Sequence, residues 1–523
     1  MGIYYLTLPH VLAGVLARNE GYDEGVYVGV ATRFVNGVLP YHDFVFLHPP
    51  GIALIFAPLA LVGRVFGTRV SLELARCLTV FVVAGNVTLA GLLLRRVGRV
   101  ASAVAAFSLA LWPLAVAVDP TVELEPYLVF CCLLGSLLVF DALELGSSRR
   151  LLLGGLVTGF ALTVKVWAIL PLLAIALVCL PKWRTIGVRL GSAVVAGAVI
   201  PCAPFVIAAP GSFYHDVVAT QLQRTLPRAV SPISLGGRIG LVSGLDGITS
   251  STLRSTLCVY GLATLFVVLV LLSVVAGPRR RLRVEWFALV APCVVFAGML
   301  AFPASNDHYS YFPAAFFALL LGVTVTRVRS VDVLRAARSI KPIGSRNSSV
   351  PILLMSLCLA LGVFLLSQDV IYARSWLAAS TDPSTALAAA IPAGSCAISD
   401  LPADLLVADR FTPSGDGCPA VVDPVGLYLS DDGGSAPHPS PPYALPFLYE
   451  WLTWLQHATY VELQVPFSDF IPWSTYSVLW FHDNYQLVGN FAQTLSRTNV
   501  VDPKDVVEPE KTEYVYRNLL ANS

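Results

Sequence analysis

The sequence predicts a polytopic α-helical membrane protein of about eleven transmembrane helices, followed by a C-terminal mixed α/β domain. The first observation is composition: 56% of the 523 residues are hydrophobic and only 13% are charged. The second is a mean hydropathy of +0.72, which is typical of chains that cross a bilayer repeatedly. The third is a formal net charge of +1, a near-neutral balance that gives no electrostatic footprint for nucleic acid.

The predicted spans are apolar runs long enough to cross roughly 30 Å of hydrocarbon, which takes about 17 to 25 helical residues. The first run is short and lacks the basic flank of a signal peptide. The fifth and sixth are also short and meet at Lys165, which predicts two broken helices that turn at a polar residue. The spans are residues 1–17, 70–94, 100–118, 126–143, 151–164, 166–181, 186–209, 252–276, 284–303, 309–326 and 349–368.

Basic residues orient these spans, because cytoplasmic loops are enriched in Lys and Arg close to the span ends. The basic clusters fall on alternate loops, so we expect one cytoplasmic, strongly basic face and an extracytoplasmic face at the cell membrane that carries the candidate reactive groups. This orientation requires that residues 50–66 do not span. The basic clusters are Arg95, Arg96 and Arg99, then Arg149 and Arg150, then Lys182, Arg184 and Arg189, then Arg279, Arg280, Arg281 and Arg283, and finally residues 327–346.

The first external loop is predicted to contain two interfacial helices. Residues 50–66 are interrupted by Pro58 and Arg64, which suits a helix that lies in the headgroup region. Residues 26–35 repeat apolar side chains at helical spacing, and we expect one face to be buried among headgroups while Arg33 snorkels.

The composition changes after Gln368, which predicts two domains, a membrane domain over residues 1–368 and a soluble domain over residues 369–523. Eleven spans from a cytoplasmic N-terminus place the second domain outside the cell. Cys396 and Cys418 lie in this polar region and predict one disulfide, which requires an oxidising compartment. Five tryptophans of this domain suit either core or interface packing or a sugar-stacking platform, and packing is favoured.

Two acidic segments of the external face are candidates for chemistry. Asp23 and Glu24 form a carboxylate pair that can remove a proton from an alcohol, although a solvated loop with ordinary acidic residues is the alternative. Asp119 begins a second segment that includes Glu123 and Glu125, for which a solvated, proline-bounded turn is the alternative.

Basic side chains on the same face suit a phosphate, since the guanidinium group binds phosphate oxygens bidentately. His215, Arg224 and Arg228 follow the seventh span, and interaction with lipid headgroups is the alternative. Lys165 can add a point charge to the same phosphate or merely snorkel.

A polar pair precedes the tenth span. Asp307 and His308 can orient an acceptor or simply cap a helix.

Together these segments resemble the GT-C superfamily of glycosyltransferases that use polyprenyl-phosphate sugars, especially the branch with protein mannosyltransferases and lipid A aminoarabinose transferases. The resemblance covers roughly residues 1–330, and its specific part is the order of short motifs along the spans. The matching residues are Asp23-Glu24, Pro40-Tyr41-x-Asp43-Phe44, His48-Pro49-Pro50, Arg76, Asp119-Pro120, Lys165 and the segment from His215 to Arg224.

The resemblance implies transfer of a sugar, mannose or arabinose, from a bacterial polyprenyl phosphate to an envelope glycan, lipid or protein on the outer face. Asp23, with Glu24 beside it, is implied as the base, and direct displacement inverts the anomeric carbon. Neither a cofactor nor a metal is implied. The implied phosphate ligands are Arg224, Lys165, Arg228 and His48, where aminoarabinose transferases carry a lysine, and the implied positioning residues are Asp119, His215, Asp307 and His308.

Two other classes of protein remain as alternatives. A transporter or flippase of a lipid-linked or small polar substrate places polar residues near the midplane of discontinuous helices, whereas here only Lys165 marks a break. An assembly or receptor protein accounts for the C-terminal domain but not for the external carboxylates.

Overall fold

The structure is a computed structural model, and it describes eleven stretches of the chain. They are residues 21–112, 121–225, 238–239, 252–275, 281–301, 307–330, 384–414, 417–431, 445–464, 471–493 and 511–520.

The first part of the chain is helical. Two helices come before the first long span, and the remaining helices run back and forth through one packed bundle. The α-helices are Tyr22–Val35, Gly51–Phe66, Thr68–Leu93, Arg99–Ala110, Leu124–Leu145, Ser148–Val164, Ile169–Cys179, Trp183–Ala208, Pro210–Tyr214, Thr220–Thr225, Thr252–Val275, Arg283–Ala301 and Tyr311–Ser330, with a π-helical turn at His215–Ala219.

Five helical segments of the described chain are long and apolar enough to cross a membrane. One of them, Val166–Ala208, joins two of the predicted spans, because short 3-10 turns continue the helix from one to the next. The predicted first and last spans, residues 1–17 and 349–368, lie outside the described residues. The other four segments are Thr68–Leu93, Leu124–Leu145, Arg283–Ala301 and His308–Arg327.

The two ends of the bundle differ in charge. Asp141, near the end of its helix, lies 2.7 Å from Arg95 and 3.2 Å from Arg96. Gly98 follows these arginines, and a Cβ atom added to it would lie 4.0 Å from the side chain of Thr326. The next residue, Arg327, forms an ion pair with Glu285. The basic loops therefore meet at one end, about 30 Å of helix away from the acidic residues that begin the same helices.

The first-loop helix (Tyr22–Val35) is a helix, as predicted, but it is not interfacial. All residues from Glu24 to Arg33 are buried. Arg33 was expected to snorkel, yet its side chain is 1% exposed, lies 5.3 Å from the ring of Phe411 and donates to the carbonyl of Pro419. The expectation was wrong because the C-terminal region, and not lipid, covers this helix.

The C-terminal region forms a four-stranded sheet with helices around it. The strands are β1 (Ala397–Ser399), β2 (Tyr460–Leu463), β3 (Tyr485–Gln493) and β4 (Lys511–Asn518), in the order β1-β2-β4-β3. β1 and β2 are parallel, and the other two pairs are antiparallel. The predicted disulfide between Cys396 and Cys418 is present. The helices are Ser384–Ala390, Pro402–Val407, Pro424–Asp431, Leu445–His457 and Thr475–Asn484.

Close backbone packing docks this region onto the first-loop helix. A Cβ atom added at Gly25 would lie 2.3 Å from the backbone nitrogen of Ala403, and one at Gly29 would lie 3.2 Å from Phe411 and Val422. Only glycine permits the first approach. The helix that carries Asp23 is thus held between the membrane bundle and the C-terminal region.

Candidate active site

The adjacent carboxylates Asp23 and Glu24 occupy the first turn of the first-loop helix and have different environments. Glu24 is 1% exposed, and both of its oxygens accept hydrogen bonds from the guanidinium group of Arg76, which is itself fully buried. The side chain of Asp23 is 31% exposed. Only Asp23 of this pair is therefore accessible to a substrate.

His308 lies between Asp23 and a second carboxylate, Glu123. Its Nε2 atom is 3.8 Å from Oδ2 of Asp23 and 3.7 Å from Oε2 of Glu123. These separations exceed a direct hydrogen bond, and one ligand atom of each residue lies within 4.8 Å of the others, a spacing that can also hold a cation. Burial, and then the charges of Asp23 and Glu125, raise the pKa of Glu123 well above its ordinary value.

Lys165 lies at the predicted helix break and is buried. Its backbone is extended between two helices, and its Nζ atom is 2.5 Å from Oε1 of Glu125. The ammonium group also lies 3.8 Å from the ring centroid of Trp167 and 4.0 Å from that of Tyr309, in the range of cation–π attraction. The positive charge is thus held beside His308 instead of snorkelling to the surface.

The segment from Leu47 to Gly51 brings the predicted phosphate ligands toward one another. A Cβ atom added at Gly51 would lie 2.5 Å from the carbonyl oxygen of Thr163, two residues before Lys165. The side chain of Gln221 donates a 2.9 Å hydrogen bond to the carbonyl of Leu47. Segments that adjoin Lys165 and contain Arg224 therefore pack on either side of His48.

His48 also approaches the helix of Asp23. Its imidazole ring lies 5.7 Å from the ring of Tyr27, and Tyr27 follows Asp23 by one helical turn, on the same face. Asp23, the predicted base, and His48, a predicted phosphate ligand, are thus neighbours.

His215 lies in a different environment from the other predicted residues. Its Nδ1 atom is 3.2 Å from Asp216 and 3.2 Å from Ser430 of the C-terminal region. Burial raises the pKa of Asp216, and hydrogen bonds from His215, Phe46 and Ser430 lower it only in part. His215 therefore contacts the C-terminal region instead of Asp23.

Four predicted site residues are not fully described. Asp119 and Arg228 lie outside the described residues, and for Arg224 and Asp307 the structure describes only the backbone. Their predicted roles remain predictions.

Sequence reasoning missed two buried ion pairs, Glu24 with Arg76 and Glu125 with Lys165. Each pair joins residues that are distant in sequence, 52 positions apart in the first and 40 in the second. A signal was present, because a lone Arg or Lys within or beside an apolar span usually has an acidic partner.

Part of the chain matches a known sequence family, and the whole chain resembles solved structures in fold. Residues 46–303 match the family model described as Glycosyltransferase family 87. The crystal structure of ArnT from Cupriavidus metallidurans bound to undecaprenyl phosphate aligns over 99% of this chain and 98% of its own, with a TM-score of 0.56 and 12% identity. The apo form of the same protein aligns over the same shares with a TM-score of 0.53 and 13% identity. No curated protein sequence matches significantly.

The acidic site lies at one end of a helical membrane bundle that has the same fold as the ArnT structure. Together with the family match over residues 46–303, this likeness supports a glycosyltransferase of the GT-C superfamily.

Proposed function

We propose that this protein is a membrane glycosyltransferase that moves a sugar from a polyprenyl-phosphate donor to an envelope acceptor on the outer face of the membrane, with inversion at the anomeric carbon. The observation that carries the proposal is the accessible carboxylate of Asp23, which lies 3.8 Å from His308. The undecaprenyl phosphate bound by the ArnT structure supports a donor of the same lipid class.

Asp23 acts as the general base in this proposal. It takes the proton of the acceptor hydroxyl as the oxygen attacks the anomeric carbon. Asp23 lies in the first turn of the first-loop helix, near the positive end of the helix dipole. Glu24 is occupied by Arg76, so it holds the helix in place and takes no proton.

Departure of the lipid phosphate leaves negative charge that the basic site stabilises. Arg224, Arg228, Lys165 and His48 are the proposed ligands, and the packing of the segments that contain Gln221 and Thr163 against Leu47 to Gly51 supports Arg224, Lys165 and His48. Lys165 is already paired with Glu125, so it stabilises the phosphate only through the electrostatic effect of a nearby positive charge. The two arginines supply the direct hydrogen bonds to the phosphate. Charge stabilisation of this type is commonly a large part of enzymatic rate enhancement.

The remaining positioning roles go to Asp119, Asp307 and His308. His308 lies 3.8 Å from Asp23, and in this proposal it orients the carboxylate toward the acceptor. In this proposal residues 1–368 form the catalytic domain, and the soluble domain of residues 369–523 lies outside the cell with the active site.

The purified protein in sealed proteoliposomes tests this function directly. Incubation with radiolabelled polyprenyl-phosphate mannose or arabinose and an envelope extract is expected to transfer the label to an acceptor and to release polyprenyl phosphate. Movement of intact donor across the bilayer without transfer would instead indicate a flippase. Absence of both donor binding and transfer for every polyprenyl-phosphate sugar would refute the proposed donor class.

A further inference from the structure

A cleft of about 650 Å³ opens between the membrane bundle and the C-terminal region. This volume lies within the roughly 300–1,000 Å³ that is usual for small-molecule sites. Its walls come from three parts of the chain: residues 41–45 of the first loop, residues 211–216 after the long span, and residues 420–430 with one face of the helix Leu445–His457. The cleft is separate from the cluster of Asp23, Glu123 and His308.

The described lining residues include four carboxylates and two histidines, His42 and His215, but no Lys or Arg. Four carboxylates line the cleft, those of Asp43, Asp216, Asp423 and Glu450. Carboxylates accept hydrogen bonds from hydroxyl groups, and they repel phosphate. The excess of carboxylates therefore disfavours the donor phosphate in this cleft, whereas a neutral polyol suits it.

An aromatic wall complements these acceptors. Trp454 lines the cleft and is partly exposed, and its ring lies 5.1 Å from that of the fully buried Trp451. A rigid indole offers an apolar face to the C–H groups of a sugar ring, while its N–H remains available for a hydrogen bond. Carboxylates around a flat aromatic ring thus match the two kinds of surface that a sugar presents.

The carboxylates are fixed before any ligand arrives. Asp43 accepts hydrogen bonds from the backbone N–H of Leu39 at 2.6 Å and contacts His42 at 2.7 Å. Asp423 accepts from the Tyr22 hydroxyl and from the N–H of Gly426, each at 2.7 Å. Such preorganisation lowers the entropic cost of binding.

One lining residue of the cleft contacts the residue that precedes the proposed base in the chain. Asp423 contacts Tyr22, whose Cα atom is about 3.8 Å from that of Asp23. We propose that the cleft is the acceptor subsite and that it binds sugar rings of a neutral glycan, whose terminal hydroxyl reaches Asp23. This inference rests on the proposed function and names the acceptor class for the same reaction.

A peptide acceptor fits the cleft less well. None of the described lining residues belongs to β1, β2, β3 or β4, and recognition of an extended peptide commonly uses a strand edge. The described wall offers side-chain acceptors and an indole face instead, which favours a glycan.

Saturation-transfer NMR on the full-length protein in nanodiscs tests the subsite without turnover. The probes are neutral manno- and arabino-oligosaccharides, with a peptide library as the comparison. We expect at least one oligosaccharide to bind, Trp454→Ala to weaken its affinity tenfold or more, and Trp454→Phe to recover part of the loss. Tyr449→Ala is the matched control, because this exposed aromatic residue lies on the same helix but does not line the cleft, and it is expected to leave affinity unchanged.

Three results would overturn the subsite: no oligosaccharide binding by the native protein, equal losses for Trp454→Ala and Tyr449→Ala, or binding of peptides in place of sugars. Affinity for polyprenyl-phosphate mannose and arabinose is measured on the same samples. Oligosaccharide binding without any donor binding would support the acceptor subsite and refute the proposed donor class. Donor binding without oligosaccharide binding would support the proposed donor class and refute the acceptor subsite.

Discussion

The hydroxyl of Tyr22 donates a 2.7 Å hydrogen bond to Oδ1 of Asp423 and accepts one of 2.8 Å from the backbone N–H of Val425. These contacts join residues about four hundred positions apart and fix the start of the first-loop helix against the C-terminal region. Burial, and then the charge of Asp423, raise the pKa of Tyr22 well above its ordinary value, so the hydroxyl keeps its proton and remains a donor. The position of Asp23 thus depends on the C-terminal region.

A double-mutant cycle measures this link. Tyr22→Phe and Asp423→Asn each remove part of the contact, and we expect a coupling energy of about 1 to 3 kcal/mol in thermal or denaturant unfolding, as for hydrogen bonds to charged groups. Tyr449→Phe combined with Asp423→Asn is the control and should be additive. Additivity in the Tyr22 cycle would contradict a stabilising contact.

The buried pair of Glu24 and Arg76 gives a second prediction. Glu24→Gln or Arg76→Met leaves an unpaired charge or an unmatched polar group in the bundle, which typically costs about 3 to 5 kcal/mol. The double variant Glu24→Gln with Arg76→Met should recover part of the loss, as measured by the unfolding temperature in detergent. If Glu24 were the base instead, Glu24→Gln would abolish transfer in a protein of normal stability.

The sequence predicted most helices and the segregation of charge because hydropathy and basic loops are local signals. The break at Lys165 was predicted for the same reason. The environment of Arg33 was not, because its coverage comes from Phe411 and Pro419, far along the chain, and nothing near Arg33 indicates them. The sequence also did not indicate that Asp23 is accessible while Glu24 is buried. Adjacent helical residues point about 100° apart, and only the packing of the helix decides which side is exposed.

A buried carboxylate of the C-terminal domain predicts a dependence of stability on pH. Burial, and then the charges of Asp404 and Asp400, raise the pKa of Glu462 well above its ordinary value of 4.5. A raised folded-state pKa means that this contribution to stability is fully present below about pH 4.5 and is lost as the pH rises through the folded-state pKa. The unfolding temperature of the native protein should therefore fall over that interval.

Glu462→Gln tests this dependence, since it keeps a neutral group that can bond Ser399. Its unfolding temperature should vary less with pH, and the variant should gain relative to the native protein at alkaline pH. Glu73→Gln, in a half-exposed pair with Arg69, is the control and should retain the native profile. Parallel profiles for Glu462→Gln and the native protein would show that Glu462 is ionised in the folded state.

Replacement of the proposed base separates chemistry from folding. Asp23→Asn keeps the shape of the side chain and removes its basicity, so we expect transfer to fall by about 10² to 10⁴-fold while donor affinity and unfolding temperature stay close to native. Glu73→Gln is again the carboxylate control. Near-native turnover by Asp23→Asn would move the base to Glu123 or Asp119.

Arg224 tests the proposed phosphate site, because its helix is joined to the segment before His48 by the hydrogen bond from Gln221 to Leu47. Arg224→Ala removes a charged hydrogen bond worth about 1.5 to 3 kcal/mol, so donor affinity should weaken roughly ten- to a hundredfold. Arg224→Lys keeps the charge but loses the bidentate geometry, so its affinity should fall between the two. Arg189→Ala, an exposed arginine at the basic end of the bundle, controls for general loss of positive charge and should bind donor normally. If Arg224 only anchors lipid headgroups, both Arg224 variants would bind donor in detergent as tightly as the native protein, and the phosphate would have to be held by other groups around His48.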